Sequence, residues 1–76
     1  NEVLMTRKFN AFIESELVER EEQKEKHLDL MKSRLETGHF SDAFIYYSFY
    51  LDVNNDIERF KAFKDFVLSE KDNTKN

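Results

Sequence analysis

With 76 residues the chain is long enough for one domain, and its net charge of −4 and its lack of Lys and Arg between positions 36 and 55 argue against a nucleic-acid-binding face. It has no cysteine, so disulfides and thiolate metal sites are excluded, although a domain this small usually needs a disulfide, a metal or a partner chain for stability. Charged residues make up 37% of the chain, which is too polar for a membrane span, while eight Phe and three Tyr are too many for a disordered tail.

A long first helix is predicted over residues 3–37. The segment is rich in good helix formers, and its apolar residues recur at steps of three and four, as on one helix face. The steps of three and four continue through the charged stretch 19–26. A line of residues that starts at Ile13 continues through Leu17, Arg20, Lys24, Leu28, Met31 and Leu35. We therefore predict one helix; the alternative is a break near Glu21–Glu25.

Gly38 predicts the end of this helix, because glycine commonly takes the left-handed conformation just past a helix C-terminus. Ser41 is then expected to cap a second helix over residues 42–53, with Asp42 favourably placed against the helix dipole. The segment Ala43–Leu51 also has the composition of a strand. No second strand-like run is available to pair with it, so we favour a helix.

A third helix is predicted over residues 56–70, after a turn at Asn54 and Asn55. Its inner face is formed by Ile57, Phe60, Phe63 and Val67. Phe66 lies off that face, either as a single exposed aromatic residue or as part of a second contact surface.

The predicted fold class is all-α: a long N-terminal helix followed by two shorter helices, in a helical hairpin or bundle that oligomerisation completes. Residues 1–70 are expected to form the single domain and residues 71–76 a frayed polar tail. The first helix would be about 52 Å long and the other two about 18 and 22 Å, so the shorter helices cover the apolar line of the first only if they pack end to end.

The second predicted helix is apolar around most of its circumference, with Phe44 on one side and Phe49 on roughly the other. A helix of this kind is buried on all sides, which two neighbours in a monomer cannot easily achieve. We predict that one side packs within the chain and the other meets a second copy in a homodimer; the alternative is a monomer that wraps the helix. The predicted interface consists of Leu28, Met31, Leu35, Phe40, Phe44, Ile45, Tyr46, Phe49, Tyr50 and Val53.

The segment from Asp52 to Asp56 copies part of a calcium-binding loop. Asp52, Asn54 and Asp56 match the first, third and fifth ligand positions of an EF-hand. Ile57 and Phe63 then stand where that loop needs a Gly and a bidentate Glu. We interpret the three polar residues as capping residues of an inter-helix turn.

Glu36, His39 and Asp42 lie close together in sequence around the glycine turn and are a second candidate metal site. One His and two carboxylates at a helix junction are common without metal, so we predict no metal and no cofactor. No catalytic residue is assigned, because the sequence holds no nucleophile motif and no phosphate-binding glycine loop.

The segment Arg34–Ala43 resembles the turn between the two helices of ribbon-helix-helix antitoxins, where a Gly, an aromatic residue and a Ser cap precede the second helix. The resemblance implies a DNA-binding regulator or antitoxin as an alternative function. The chain departs from that family's pattern, because the helix predicted before the turn is about twice as long and the chain is acidic.

The preferred prediction is a non-enzymatic helical protein–protein interaction module that acts as an adaptor or as a small regulator or inhibitor. Its expected partners are a second copy of the chain and up to one other protein, with neither nucleic acid nor membrane. The lack of cysteine and of a visible secretory signal predicts a cytoplasmic location.

Overall fold

The computed structural model describes the backbone of residues 2–74 and the side chains of residues 5–70. These residues form two antiparallel helices, α1 (Glu2–Glu36) and α2 (Phe40–Thr74), each 35 residues long. Together they make a hairpin with extents of 58 × 18 × 10 Å. The prediction of an all-α fold is confirmed, and over the described residues no helix carries an apolar stretch long enough to cross a membrane.

Helix α1 runs without a break through its charged middle, so the single long helix is confirmed and the alternative break near Glu21–Glu25 is wrong. The acidic residue Glu16 pairs with Arg20 one turn later, in the acid-first order that stabilises helices. Arg34 lies in the last turn of α1, where a cation interacts favourably with the helix dipole.

The turn between the helices is a Schellman motif, and it confirms the role predicted for Gly38. Gly38 has a φ of 80°, a conformation that side chains with a Cβ rarely adopt. Its N–H donates to the carbonyl of Leu35 at 3.2 Å, and the N–H of His39 donates to the carbonyl of Arg34 at 2.8 Å. These two bonds satisfy carbonyl groups that the end of α1 leaves without helical partners.

Helix α2 begins at Phe40, two residues before the predicted start. The N–H of Ala43 donates to the carbonyl of His39 at 3.0 Å, which places His39 at the N-cap position. The prediction that Ser41 caps this helix is therefore wrong, because Ser41 already lies in its first turn. The strand alternative for residues 43–51 is also wrong.

Helix α2 continues through Asn54 and Asn55, so the predicted turn there and the separate third helix are wrong. Asparagine costs a helix only about 0.5 kcal/mol relative to alanine. The inward positions keep their steps of three and four across the pair, from Val53 to Ile57 to Phe60. Packing of these residues against α1 outweighs the weak local preference for a turn.

The equal lengths of the helices also correct the length argument from the sequence. Two short helices would leave part of α1 uncovered, whereas α2 spans the length of α1. The predicted tail, residues 71–76, lies outside the residues whose side chains are described.

The core is a single line of side chains between the helices, and among those described Ile13, Ala43 and Ile57 are buried. Around them run two seams of buried and half-buried positions. In α1 the seam is Phe9, Ile13, Glu16, Arg20, Lys24, His27, Met31 and Arg34. In α2 the seam is Ala43, Tyr46, Tyr50, Val53, Ile57, Phe60, Lys64 and Val67.

The hairpin exposes more surface than a compact protein of its mass. Its accessible surface is 5882 Å², against about 4,900 Å² expected for a compact monomer of this size. Its radius of gyration is 17.4 Å, against about 11 Å for a compact domain of this length. The cause is that one layer of two helices has two open faces.

Candidate protein-binding surface

The centre of the seam is a polar network around Arg20. Its Nε donates to Oδ2 of Asp56 across the hairpin at 2.9 Å, and its Nη1 pairs with the carboxylate of Glu16. The guanidinium carbon lies 4.3 Å from the ring centroid of Phe60. The hydrogen bond to Asp56, and then that to Glu16, raises the pKa of Arg20, so the side chain stays charged at physiological pH.

Towards the turn, the seam pairs cationic and imidazole side chains of α1 with aromatic rings of α2. Lys24 Nζ lies 5.9 Å from the ring centroid of Tyr50, within the range of a cation–π interaction. The ring of His27 lies 5.5 Å from that of Phe49, and its buried Nδ1 has no hydrogen-bond partner. Tyr50 therefore contacts α1 of its own chain, as does Phe49.

The hairpin has two faces, which can be defined by their position relative to the seams. Each helical step rotates the side chain by about 100°. In an antiparallel pair, the residue after a seam residue lies on the same face in both helices, because a two-fold rotation perpendicular to the hairpin interchanges the helices. We call this the front face; the back face carries the residue before each seam position.

The half of the front face nearest the turn is mostly apolar, and its charged residues are Lys32, between Leu28 and Leu35, and Glu25. Phe40 and Phe44 are each 68% exposed, although both are large apolar side chains. Together the residues here leave on the order of 500 Å² of apolar surface in contact with water, near the upper end for the largest patch on a monomer. We call them the turn patch: Leu28, Leu35, Phe40, Phe44, Tyr47 and Leu51.

The other half of the front face, towards the chain ends, is charged. Glu14 and Glu21 lie on α1, and Glu58, Lys61 and Asp65 lie on α2, all of them exposed. The front face is therefore mostly apolar near the turn and mostly polar towards the chain ends, where Leu17 and Leu68 are its apolar residues.

The back face is apolar in places, but acidic residues interrupt it. Phe12 and Phe63 lie in the half towards the chain ends, which we call the open half, and are 48% and 46% exposed. Phe49 lies nearer the turn and is 45% exposed. The acidic residues between these positions are Glu19, Asp52 and Asp56. On α2 the turn patch runs from Phe40 to Leu51 without a charged residue on the front face, which makes it the longer apolar stripe of the two faces.

The ten residues predicted as the partner interface are divided among three places. Leu28, Leu35, Phe40 and Phe44 lie in the turn patch. The seam and the back face hold the remaining six, with Met31, Tyr46, Tyr50 and Val53 in the seam and Ile45 and Phe49 on the back face.

The structure adds Tyr47 and Leu51 to the turn patch, at 42% and 44% exposure. The sequence contained the signal for both, because steps of three and four join them to Phe44. Its periodicity could not show which side of α2 would face α1.

The two polar clusters considered as metal sites do not converge in the structure. Asp52, Asn54 and Asp56 are alternate residues of a helix, so successive side chains point about 200° apart. His39 Nδ1 lies 2.7 Å from Thr37 Oγ1. Among the described side chains, no group of three or more His or acidic residues is arranged to hold a metal ion.

Comparisons of the chain with protein-family models, with curated proteins and with solved structures give no match. The segment Arg34–Ala43 therefore keeps only its local resemblance to the ribbon-helix-helix turn, and residues 2–74 contain no strand. A functional conclusion must come from the surface of this hairpin.

Proposed function

We propose that the chain is a non-enzymatic protein–protein interaction module that binds a second copy of itself through the turn patch. As a dimer it would act as an adaptor, or as a small regulator that occupies a partner's surface. The observation that carries the proposal is the turn patch itself, because a hairpin with three buried side chains among those described exposes five large apolar ones together.

The shape of the hairpin supports the proposal. It is 10 Å thick, the thickness of a single helix layer, whereas stable domains are built from at least two packed layers. A second hairpin on the front face would supply the missing layer. The hairpin outline of 58 × 18 Å gives a face of roughly 1,000 Å², above the ~800 Å² per partner of a standard interface.

The chemistry of the turn patch favours a second copy as the partner. A two-fold dimer places the same patch on both sides of the interface, so an apolar surface automatically meets an apolar surface. Burying one phenylalanine contributes roughly 1.5–3 kcal/mol, and each copy brings two that are 68% exposed. Phe and Tyr are also enriched at protein interfaces.

The test compares Phe44→Asp with Phe66→Asp by light scattering at micromolar concentration. Both residues are exposed phenylalanines of α2, at 68% and 63%, so neither substitution removes a core contact. We expect the unaltered chain and Phe66→Asp to show twice the chain mass of 9.2 kDa, and Phe44→Asp to show 9.2 kDa with unchanged helical circular dichroism. A monomeric unaltered chain, or a Phe44→Asp variant that remains dimeric, would overturn the proposal.

A further inference from the structure

We infer that the two copies stack front face on front face with their turns at the same end, so that α1 of each copy lies over α2 of the other. The inference rests on the proposed function and specifies its geometry. The dimer would be a four-helix bundle about as long as one hairpin. The inference follows from where the apolar residues lie on the front face, from which residues of the two helices lie at the same height along the hairpin, and from the charges of those residues.

Only one of the symmetric arrangements matches the two halves of the front face. If the turns lie at opposite ends and the faces overlap fully, each turn patch lies over the chain-end half of the other copy, with Leu28 near Asn10 and Leu51 near Lys61 and Asp65. If the hairpins slide until the two patches overlap, about half of each face is lost from the interface. That leaves roughly 500 Å² per copy, below the ~800 Å² of a standard interface. With the turns at the same end, the turn patch of one copy meets that of the other, and the two faces overlap over their full length.

The contacts inside one hairpin show which residues lie at the same level. Arg20 is level with Asp56, at 2.9 Å, and Lys24 is level with Tyr50. Continuing towards the turn at the same rise, Leu28 is level with Tyr47, and Leu35 is level with Phe40.

A two-fold axis parallel to the helices preserves these levels and exchanges α1 for α2. Leu28 then lies on Tyr47 of the second copy, and Leu35 lies on Phe40 of the second copy. The leucines of one copy therefore face the exposed aromatic rings of the other, and both pairs occur twice in the dimer. Lys32, which lies between the two leucines, is level with Phe44 of the second copy, where its cation can contact the ring.

Charges in the open half agree with the same arrangement. Glu14 is level with Lys61 and would face the opposite charge on the second copy, while Glu21 would face the neutral Asn54 and Glu58 the neutral Leu17. The same operation on the back face would place Glu19 against Asp56, which are like charges. Electrostatic complementarity therefore favours the front face.

The absence of cysteine allows single spin labels to test the arrangement. Ser15→Cys, Glu22→Cys and Ser33→Cys place labels at exposed positions of α1. The spacings of 7 and 11 residues keep the labels on one side of the helix to within about 20°. All three lie away from the seam and the turn patch. Distances between the labels of the two copies are measured by double electron–electron resonance on the full chain.

With the turns at the same end, all three variants should give nearly the same distance, on the order of 25 Å from the bundle diagonal and two side chains. With the turns at opposite ends, the separation of the two labels along the bundle axis would instead change with the label position. It would change by about 3 Å, twice the helical rise, for each residue by which the label is moved along α1. That result would overturn this inference and leave the proposed function intact. The absence of any distance between copies, with a monomeric mass by light scattering, would overturn both.

Discussion

At the scale of single residues, Arg20 links the two helices at a defined level. Its side chain is 22% exposed and contacts an acid on its own helix, an acid on α2 and an aromatic ring. Apolar residues at the same position would tolerate a shift of one helix along the other. A charged group with fixed partners disfavours such shifts, as polar residues do in helical seams generally.

Replacing Arg20 with Met should lower the free energy of unfolding by about 1–2 kcal/mol, because charge-assisted hydrogen bonds to Asp56 and Glu16 are lost while the side-chain volume is kept. The measurement is urea denaturation followed by circular dichroism at one fixed protein concentration. The control is Arg59→Met at an exposed position of α2, which should change the value by less than about 0.5 kcal/mol. Equal effects of the two substitutions would show that Arg20 has no special role in the seam.

At the scale of helices, the continuity of α2 depends on cooperation between its two halves. The predicted turn would have ended one helix at Val53 and started the next at Asp56. In the structure Val53 and Ile57 instead occupy successive seam positions on one helix, and Ile57 is 2% exposed. A break between them would rotate the second half and remove Ile57 from the core.

Asn55 distinguishes a continuous helix from a capped turn. In a continuous α2 the exposed Asn55 makes no capping contribution, so Asn55→Ala should raise the free energy of unfolding by about 0.5 kcal/mol through helix propensity. If Asn55 were an N-cap, the same substitution would lower it by about 1 kcal/mol. Thermal denaturation gives the sign. Asn55→Pro is the companion variant and should lower stability by about 3 kcal/mol or more, because proline removes a helical hydrogen bond.

At the scale of the whole molecule, the hairpin is long and one layer thick, and its charge is negative. Its 58 Å length comes from two helices packed side by side. Its net charge is −4, and the sequence has no Lys or Arg between positions 36 and 55. The segment Arg34–Ala43, which resembles a ribbon-helix-helix turn, carries Arg34 against Glu36 and Asp42 and is therefore not basic.

The chain should not bind duplex DNA with submicromolar affinity, because tight binding requires basic side chains that displace counterions from phosphates. Fluorescence anisotropy with a labelled duplex at low and at physiological salt is the measurement, and a basic DNA-binding protein serves as the positive control. Tight binding that weakens steeply as salt rises would instead favour the alternative of a DNA-binding regulator.

The sequence by itself determined the features that depend on neighbouring residues. The helix formers of residues 3–35 and the stop at Gly38 predicted α1 and its end, because helix propensity and the left-handed C-cap are local properties. The same reasoning failed at Asn54 and Asn55, where local preference is weak and contacts with α1 decide the outcome. Residues 20 and 56 meet only in the folded chain.

The tertiary structure alone decided which side of α2 faces its own chain. The spacing of aromatic residues placed Phe44, Tyr47 and Leu51 on one stripe, but periodicity gives only the relative angles of side chains around a helix. Packing against α1 buries Ala43 and half-buries Tyr46 and Tyr50. Phe44, Tyr47 and Leu51 each follow one of these residues by one position, and they remain exposed. The physical reason is that an antiparallel neighbour covers one side of a helix, and a helix apolar on several sides does not specify which.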